Sequence, residues 1–273
     1  IRPRFVDASN IGGSSFVDFA LKATLALQAG LCDVALICYG SNQRTAKRPV
    51  NFSDAPPFEV DYKPSYMVGP FALAAARRWW RSEHREHTRD RLTIACAQQA
   101  HSSVRMVASV LDCDVLLVDG DEFGRLRAHD LAVALAAHRA QGGAPVFAIS
   151  ATAGTTNLGM VDDLAGLADV AEQEGLWLHA DGAYGGAAVL TVTGREALAG
   201  IDRVQSMVVD PHKWLFAGYD CCALLYRDVR IARAAFTQTA EYLEAVEVSA
   251  DQWNPSDYAV HLTRRARGVP FWF

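Results

Sequence analysis

From residue 92 onward, short apolar runs alternate with longer amphipathic segments, and this alternation limits the folds open to the chain. The apolar runs predict strands at Leu92 to Ala97, Val115 to Val118, Val146 to Ser150, Leu176 to Ala180, Ser206 to Val209 and Cys222 to Tyr226. Apolar residues at helical spacing predict helices at Ser102 to Leu111, Ala128 to Ala140, Leu164 to Glu174 and Arg195 to Gly200. Strands separated by crossover helices form a mostly parallel sheet that helices cover on both faces. The sequence therefore predicts an α/β fold.

The N-terminal part of the chain follows a different pattern. Apolar spacing predicts a helix over residues 16–29 and a short strand at Val34 to Ile37. Residues 41–70 then contain five of the chain's ten prolines and show no periodicity. A helix predicted from Phe71 to Arg81 starts the next region, and the charged residues 81–91 are expected to form a solvated loop. We expect residues 1–70 and 71–273 to be separate parts.

Composition excludes several classes of partner. The 273 residues carry 26 basic and 31 acidic side chains, a net charge of −5, so no basic surface for nucleic acid or membranes is expected. The chain has no nearly uninterrupted apolar run of about 20 residues that could span a membrane. Its six cysteines lack zinc-site spacing, which favours reduced thiols, no metal and a cytoplasmic location. The first residue, Ile1, and the apolar end at Phe273 suggest a piece of a longer protein.

Four chemically suggestive residues lie at or after the ends of predicted strands, where parallel sheets bind ligands. They are His101, Thr152, Asp181 and Lys213. A lysine amine can form a Schiff base with a carbonyl, and a carboxylate can keep a pyridinium nitrogen protonated. Each residue alone is better explained as a helix cap, a turn residue or a solvated side chain. The combination favours a site for pyridoxal 5'-phosphate with a small-molecule substrate.

Five motifs carry a resemblance to a known family. They are Gln99-Ala-His101-Ser-Ser103-Val, Ala151-Thr-Ala-Gly-Thr-Thr156, Trp177-Leu-His-Ala-Asp181-Gly-Ala-Tyr184-Gly-Gly186, Asp210-Pro-His-Lys213-Trp214 and Arg264-Arg265-Ala-Arg267. On these motifs, residues 77–273 resemble the pyridoxal-phosphate-dependent group II amino-acid decarboxylases, most closely the aromatic-L-amino-acid decarboxylase branch. The resemblance implies the large domain of PLP fold type I and decarboxylation of an L-amino acid. It also implies a homodimer whose active sites use both subunits.

The resemblance implies a role for each residue around the cofactor ring. Lys213 looks like the lysine that carries pyridoxal 5'-phosphate as a Schiff base. Asp181 looks like the partner of the pyridine nitrogen. Ala183 is expected to pack on one face of the ring, and His101 to stack on the other. A carbanion left by loss of CO₂ is delocalised into the ring only while Asp181 keeps the ring nitrogen protonated.

Three further residues receive roles from the same resemblance. Thr152 is expected near the ring-nitrogen carboxylate, and His212 beside the cofactor phosphate. Tyr242, in Glu241-Tyr-Leu243, matches a mobile-loop tyrosine that protonates the carbanion at the neighbouring subunit's site. A tyrosine here favours simple decarboxylation over the aldehyde-forming variant. The Pro-His-Lys-Trp context favours the aromatic branch over the bacterial glutamate decarboxylases, and neither feature decides the substrate.

The chain departs from the decarboxylase pattern upstream of Arg77. The family has a Gly/Ser-rich turn there, whose backbone N–H groups hold the cofactor phosphate. This chain has Tyr66-Met-Val-Gly-Pro70-Phe-Ala-Leu73, with one glycine and a proline that has no N–H. We expect this phosphate cradle to be missing.

Residues 1–70 resemble a different family, the thiolase-like acyl-CoA enzymes. The resemblance rests on Ile1-Arg-Pro-Arg-Phe-Val-Asp7, Ile11-Gly-Gly-Ser-Ser-Phe16 and Ala29-Gly-Leu-Cys-Asp-Val-Ala-Leu-Ile37. It implies a short α/β thiolase-like segment, although Ser14-Ser15 stands where thiolases have their nucleophilic cysteine. Two alternative functions follow: an acyl-CoA binding or transfer protein, and a non-catalytic chimeric fragment whose two parts join within residues 71–78.

Overall fold

In the computed structural model, the described residues are 15–35, 69–87, 89–217, 221–237 and 255–258. The chain divides into two units, Ile1–Tyr66 with Gly218–Asp220, and Met67–Ala217 with Cys221–Phe273. In the first unit, the predicted helix is present as α1 (Ser15–Gln28). Val34 lies outside any strand and is exposed, and residues 36 and 37 of the predicted strand lie outside the described residues.

The second unit alternates strands and helices in the predicted order. Its strands are β1 (Leu92–Ala97), β2 (Cys113–Val118), β3 (Val146–Thr152), β4 (Trp177–Asp181), β5 (Ser206–Val209) and β6 (Ala223–Tyr226). Its helices are α2 (Gly69–Glu83), α3 (Ser103–Val110), α4 (Ala128–Ala140), α5 (Leu164–Glu174), α6 (Val192–Ala197), α7 (Pro211–Trp214) and α8 (Val229–Phe236). Short 3-10 segments lie at Arg85–His87, Gly186–Leu190, Ile201–Arg203 and Pro255–Tyr258.

The strands of the second unit form one sheet in the order β2-β1-β3-β4-β5-β6. Every neighbouring pair is parallel except β5 and β6, which are antiparallel. The predicted α/β fold with a mostly parallel sheet is therefore confirmed. All six residues of β1 are buried, as expected for a strand in a sheet that helices cover on both faces.

Each face of the sheet has its own apolar cluster. On one face, Leu131 of α4 and Leu167 of α5 cluster with Leu178 of β4. On the other face, Trp80 of α2 clusters with Trp177 of β4, and Val107 of α3 belongs to the same cluster. Successive strand residues point to opposite faces, so Trp177 and Leu178 belong to different clusters. The second face is the one on which the Asp181 side chain lies, four residues after Trp177.

Some boundaries differ from the sequence predictions. Helix α6 begins at Val192, not Arg195, because the hydroxyl of Thr191 caps it by accepting a hydrogen bond from the Gly194 N–H at 3.0 Å. It ends at Ala197, and Gly200, with φ +94°, precedes the next 3-10 segment. Helix α2 continues to Glu83, into the segment expected to be loop. Among the described residues, no helix is long and apolar enough to cross a membrane.

Candidate active site

The carboxyl ends of four adjacent parallel strands bring most of the predicted site residues to one edge of the sheet. Thr152 and Asp181 are the last residues of β3 and β4, not loop residues, and they are paired in register. Asp181 also pairs with Val208 of β5, and Lys213 follows β5 in α7. His101 lies in the turn between β1 and α3. The strand order thus places these four residues along a single edge.

Backbone hydrogen bonds tie the loops at this edge together. The Ala153 N–H donates to the Asp181 carbonyl at 2.8 Å, and the Asp210 N–H donates to the Ala183 carbonyl at 3.3 Å. The Ala183 N–H donates to Oδ1 of Asp181 at 3.2 Å. The carboxylate of Asp181 is therefore held by the backbone of the loop that follows it. Packing of Ala183 on a cofactor ring stays a prediction.

A glycine permits the close approach of two of these loops. A Cβ at Gly185 would lie 2.3 Å from the carbonyl oxygen of Ala153, a distance that side chains cannot adopt. Gly154, opposite it, has φ +109°, a conformation that favours glycine. The glycines of the two motifs therefore allow the loops after β3 and β4 to pack backbone against backbone.

Lys213 is held at the edge by a carboxylate that the sequence analysis did not single out. Its Nζ lies 2.9 Å from Oδ2 of Asp210, and both side chains are largely buried, with 23% and 15% of their surfaces exposed. Asp210 occupies the N-cap position of α7, yet its side chain makes no capping hydrogen bond. The order of the motifs predicted a lysine at this edge of the sheet. No sequence signal indicated that Asp210 would bind the amine of Lys213.

His212 is buried beside this ion pair. Its Nδ1 lies 2.6 Å from the carbonyl oxygen of Cys221, and because a carbonyl can only accept, Nδ1 carries the hydrogen. Its Nε2 lies 3.9 Å from Oδ2 of Asp210. This hydrogen bond fixes the ring between α7 and the segment leading into β6. A contact of His212 with a cofactor phosphate stays a prediction.

His101 is exposed and lines a cavity of about 520 Å³. Its Nδ1 lies 2.9 Å from the Ser103 hydroxyl and accepts the Ser103 N–H at 3.3 Å, so the ring hydrogen is on Nε2 of the neutral form. The cavity is lined by residues 98–102, 122–124, 155–158 and 160. Among the described residues, Asp181 and Lys213 are not part of this lining. Stacking of His101 on a cofactor ring therefore stays a prediction.

A buried carboxylate braces Thr152, and the sequence analysis missed it. Asp162 is 4% exposed and accepts hydrogen bonds of 2.7 Å from the backbone N–H groups of Thr152 and Leu126. Burial raises the pKa of Asp162 to about 6, although the two N–H donors oppose this shift. The neighbouring Asp163 instead caps α5 by accepting from the Gly166 N–H. The sequence alone did not indicate that Asp162 would brace β3 while the adjacent Asp163 would cap α5.

Tyr242 lies outside the described residues, as do residues 66–68 and 264–267. The role of Tyr242 as a proton donor therefore stays a prediction. The remainder of the segment expected to lack a phosphate cradle, residues 69–73, forms the first turns of α2. The prediction that the chain lacks this cradle stays open.

Comparison with known families decides the classification. The family model of the pyridoxal-dependent decarboxylase conserved domain matches residues 65–273, more than half of the chain. The chain belongs to this decarboxylase family. The match includes the edge of the sheet that carries Thr152, Asp181 and Lys213, and the predicted relationship to group II decarboxylases is confirmed at this level.

The decarboxylases that are similar to this chain are named for different substrates. It is 36% identical over 180 residues to an aromatic-L-amino-acid decarboxylase of Bacillus atrophaeus, an alignment covering 64% of this chain and 37% of that protein. It is also 36% identical over 186 residues to human cysteine sulfinic acid decarboxylase, covering 66% and 38%. The chain thus spans less than half the length of these relatives.

Solved structures show the same fold. The crystal structure of Oryza sativa TDC with PLP and tryptamine matches with a TM-score of 0.69 at 28% identity, covering 77% of this chain and 44% of that one. The apo form of mouse CSAD matches with a TM-score of 0.64 at 31% identity, covering 76% and 44%. The decarboxylase-family assignment thus rests on sequence and on fold.

Proposed function

We propose that this chain binds pyridoxal 5'-phosphate through Lys213 and takes part in the decarboxylation of an L-amino acid. The observation that carries the proposal is the placement of a lysine amine and a carboxylate at one edge of the sheet. Lys213 follows β5, and Asp181 is the last residue of the adjacent strand β4. These two groups fit the aldehyde and the ring nitrogen of the cofactor. When bound, the cofactor supplies an acceptor for the electron pair that remains at Cα after CO₂ leaves.

The residues of the chain have distinct tasks in this proposal. The amine of Lys213 forms the covalent link, and Asp210 holds that amine in place beforehand through their 2.9 Å contact. The carboxylate of Asp181 keeps the ring nitrogen protonated, and the Ala183 N–H orients this carboxylate. Proton return to Cα is assigned to Tyr242 from the motif resemblance. Ala183 leaves space for the ring on one side.

We infer an aromatic amino acid as the substrate, because the Pro-His-Lys-Trp segment resembles the aromatic branch. The test is CO₂ release from two sets of substrates at equal concentration. One set holds L-tryptophan, L-tyrosine and L-phenylalanine, and the other holds L-glutamate, L-aspartate and L-cysteine sulfinate. Faster release from the acidic set would overturn the aromatic assignment without affecting the reaction type.

The cofactor proposal is tested with the purified chain and added pyridoxal 5'-phosphate. We expect an absorption band near the visible edge, and a borohydride-reduced adduct that mass spectrometry locates at Lys213. The band and the adduct should both be absent in Lys213→Ala. They should both be present in the control variant Lys22→Ala, which replaces a lysine in α1. A chain that gives neither band nor adduct would refute cofactor binding.

The assembly and location are also proposals. We propose a homodimer because the resemblance places Tyr242 at the neighbouring subunit's site. Sedimentation as a monomer at micromolar concentration would contradict this assembly.

We propose a cytoplasmic location because the cysteines of the described residues are free, including Cys96 and Cys113 in the core. Microscopy of the tagged chain in its native cell tests this location.

The thiolase-like character of residues 1–70, and their separation from residues 71–273, stay predictions. Most of this segment lies outside the described residues. A thermal shift with an acyl-CoA would support the acyl-CoA alternative. No shift is expected, because serines replace the nucleophilic cysteine. Aggregation without cofactor binding would instead favour the non-catalytic alternative.

A further inference from the structure

Among the described residues, two arginines of α2 have no carboxylate partner, although their side chains are half-buried. Arg77 and Arg81 are four residues apart, so they lie one turn apart on the same side of the helix. The Nε atom of each is enclosed by protein and has no hydrogen-bond partner in the described part of the chain. The ion pairs of the described residues include neither arginine. Because buried polar atoms without partners are uncommon in proteins, this pair needs an explanation.

The aspartates at the amino ends of β1 and β2 bind other residues. Asp112 and Asp114 both contact Arg91 through their carboxylates. The carboxylate of Asp90 lies 2.6 Å from Nδ1 of His87. Within the described residues, the carboxylates at this end of the sheet therefore do not neutralise the arginine pair by direct contact.

Both guanidinium groups act on the same place, the thiol of Cys113. Burial raises the pKa of Cys113, and the positive charges of Arg77 and Arg81 both oppose this shift. Burial also lowers the pKa of Arg81, and the charge of Arg77 lowers it further. Like charges one helical turn apart destabilise a helix. Two positive charges are therefore held close together at a cost in free energy.

The terminal nitrogens of the arginine pair are open to solvent. Nη2 of Arg81 donates to the Asp90 carbonyl at 2.8 Å, which fixes this side chain. Nη1 of Arg81 and both Nη atoms of Arg77 have no hydrogen bond among the described residues, and unlike the Nε atoms they are not enclosed. A ligand from solvent can therefore reach N–H groups of both arginines.

We propose that Arg77 and Arg81 form a binding site for an oxyanion with two negative charges, either a phosphate group or a dicarboxylate. The planar guanidinium fork matches the oxygens of phosphate and carboxylate groups. Two charges on the ligand balance those of the pair and remove their mutual repulsion. Cys113 is the first residue of β2, whereas Thr152 and Asp181 are the last residues of their strands. The oxyanion site therefore lies at the opposite edge of the sheet from the proposed cofactor site.

Chemical modification of arginine tests the site in the cofactor-free chain. Phenylglyoxal attaches to guanidinium groups, and mass spectrometry with peptide fragmentation reports Arg77, Arg78 and Arg81 separately. At a constant ionic strength of about 0.15 M, inorganic phosphate at about 10 mM should slow modification of Arg77 and Arg81 about tenfold, which corresponds to a dissociation constant of about 1 mM. The exposed neighbour Arg78 should be modified at the same rate with and without phosphate.

Matched variants separate a built site from general attraction by positive charge. Titration calorimetry measures the dissociation constant for inorganic phosphate, and Arg77→Gln and Arg81→Gln should each raise it about tenfold, because each removes charge-assisted hydrogen bonds. Arg78→Gln removes the same charge from an exposed position of α2 and should change the constant less than about twofold. Arg77→Lys keeps the charge but loses the planar fork, so its constant should lie between the two. Equal effects of the three glutamine variants would overturn the proposal.

Two probes distinguish the sources of the oxyanion. Protection of Arg77 and Arg81 by inorganic phosphate alone would identify phosphate groups as the ligand, and protection by succinate alone would identify dicarboxylates. Protection by both would support the shared chemistry of the two. Protection by neither in the unmodified chain, which does not depend on how any variant folds, would overturn the site.

The oxyanion site and the proposed cofactor site are tested independently. Phosphate should protect Arg77 equally in the unmodified chain and in Lys213→Ala, because the two sites lie at opposite edges of the sheet. Loss of this protection in Lys213→Ala would show that phosphate acts at the cofactor edge, and it would overturn the second site. A chain that binds no pyridoxal 5'-phosphate would refute the proposed function and leave the protection of Arg77 unchanged.

Discussion

Asp162 and Thr152 are joined by two reciprocal hydrogen bonds: the Thr152 N–H donates to the Asp162 carboxylate at 2.7 Å, and the Asp162 N–H donates to the Thr152 carbonyl at 2.9 Å. The neighbouring residues Ala153 and Val161 form an antiparallel bridge. The end of β3 is therefore braced from the segment that precedes α5. Because Thr152 pairs with Asp181, this brace supports the edge that carries the proposed cofactor site.

Asp162 should make stability depend on pH. Burial raises its pKa from 3.8 to about 6, so the folded chain holds a proton between about pH 4 and 6 that the unfolded chain has released. The free energy of unfolding contributed by this group therefore falls as pH rises through that window. The difference in stability between the unmodified chain and Asp162→Asn should shift by about 3 kcal/mol between about pH 4 and 7. Urea unfolding at several pH values measures it.

Asp169→Asn is the control for this experiment. Asp169 lies in α5 and forms an exposed ion pair with Arg203, so its loss should cost less than about 1 kcal/mol. It should leave the pH dependence from about pH 4 to 7 unchanged. Parallel stability curves for Asp162→Asn and the unmodified chain would show that Asp162 does not titrate in this range.

Replacing Gly185 by alanine should damage the site edge. The new Cβ would lie 2.3 Å from the Ala153 carbonyl oxygen, so the loops after β3 and β4 must separate. We expect a loss of at least about 3 kcal/mol in the free energy of unfolding, together with weaker cofactor binding. Chemical denaturation and absorbance titration measure the two effects.

Gly175→Ala separates crowding from backbone strain. Gly175 ends α5 with φ +64°, and a Cβ added there would have no other atom within 4 Å, so only conformational strain opposes the substitution. Its cost should be about 1 kcal/mol, with cofactor binding unchanged. Similar costs at Gly175 and Gly185 would contradict the close approach of the two loops.

Removing the hydroxyl of Tyr226 should stabilise the fold. This oxygen is buried and has no hydrogen-bond partner among the described residues, and burial raises the pKa of Tyr226. Tyr226→Phe should therefore raise the free energy of unfolding by about 1 kcal/mol. Tyr184→Phe, at a half-buried ring, should change it by less than about 0.5 kcal/mol. Destabilisation by Tyr226→Phe would indicate that the hydroxyl has a partner.

Asp210 should suppress the reactivity of Cys222. Burial raises the pKa of this thiol most strongly, and the charge and hydrogen bond of Asp210 raise it further. Because the thiolate is the reactive form, Asp210→Asn should speed alkylation by iodoacetamide about threefold or more. Peptide mass spectrometry with fragmentation distinguishes Cys222 from Cys221. Asp169→Asn serves again as control, and an equal rate in all three chains would exclude this influence.

Much of the fold was predictable because its signals are local. The bounds predicted for β1, β5, α4 and α5 agree with the structure. In these segments, a short buried apolar run or a helical spacing of apolar residues is enough to specify the element. The prediction was wrong at α6, where the Thr191 cap started the helix three residues before Arg195.

The candidate site was predictable only in part. The order of motifs placed Thr152, Asp181 and Lys213 at successive strand ends, and the sheet order confirms that these ends are neighbours. The partners of these residues were not predictable. The contact of Asp210 with Lys213 and the brace from Asp162 depend on side-chain directions in short loops, which residue type and spacing do not specify.

The sequence by itself determined the alternation of strands and helices, the motifs at the strand ends and the decarboxylase family. Only the tertiary structure decided which buried polar residues meet. Ser206 lies 27 residues after His179, and their contact exists because β4 and β5 pair in one particular register. A shift of one residue would move Ser206 to the opposite face of the sheet. Register depends on the packing of the whole sheet against its helices, and no local pattern encodes it.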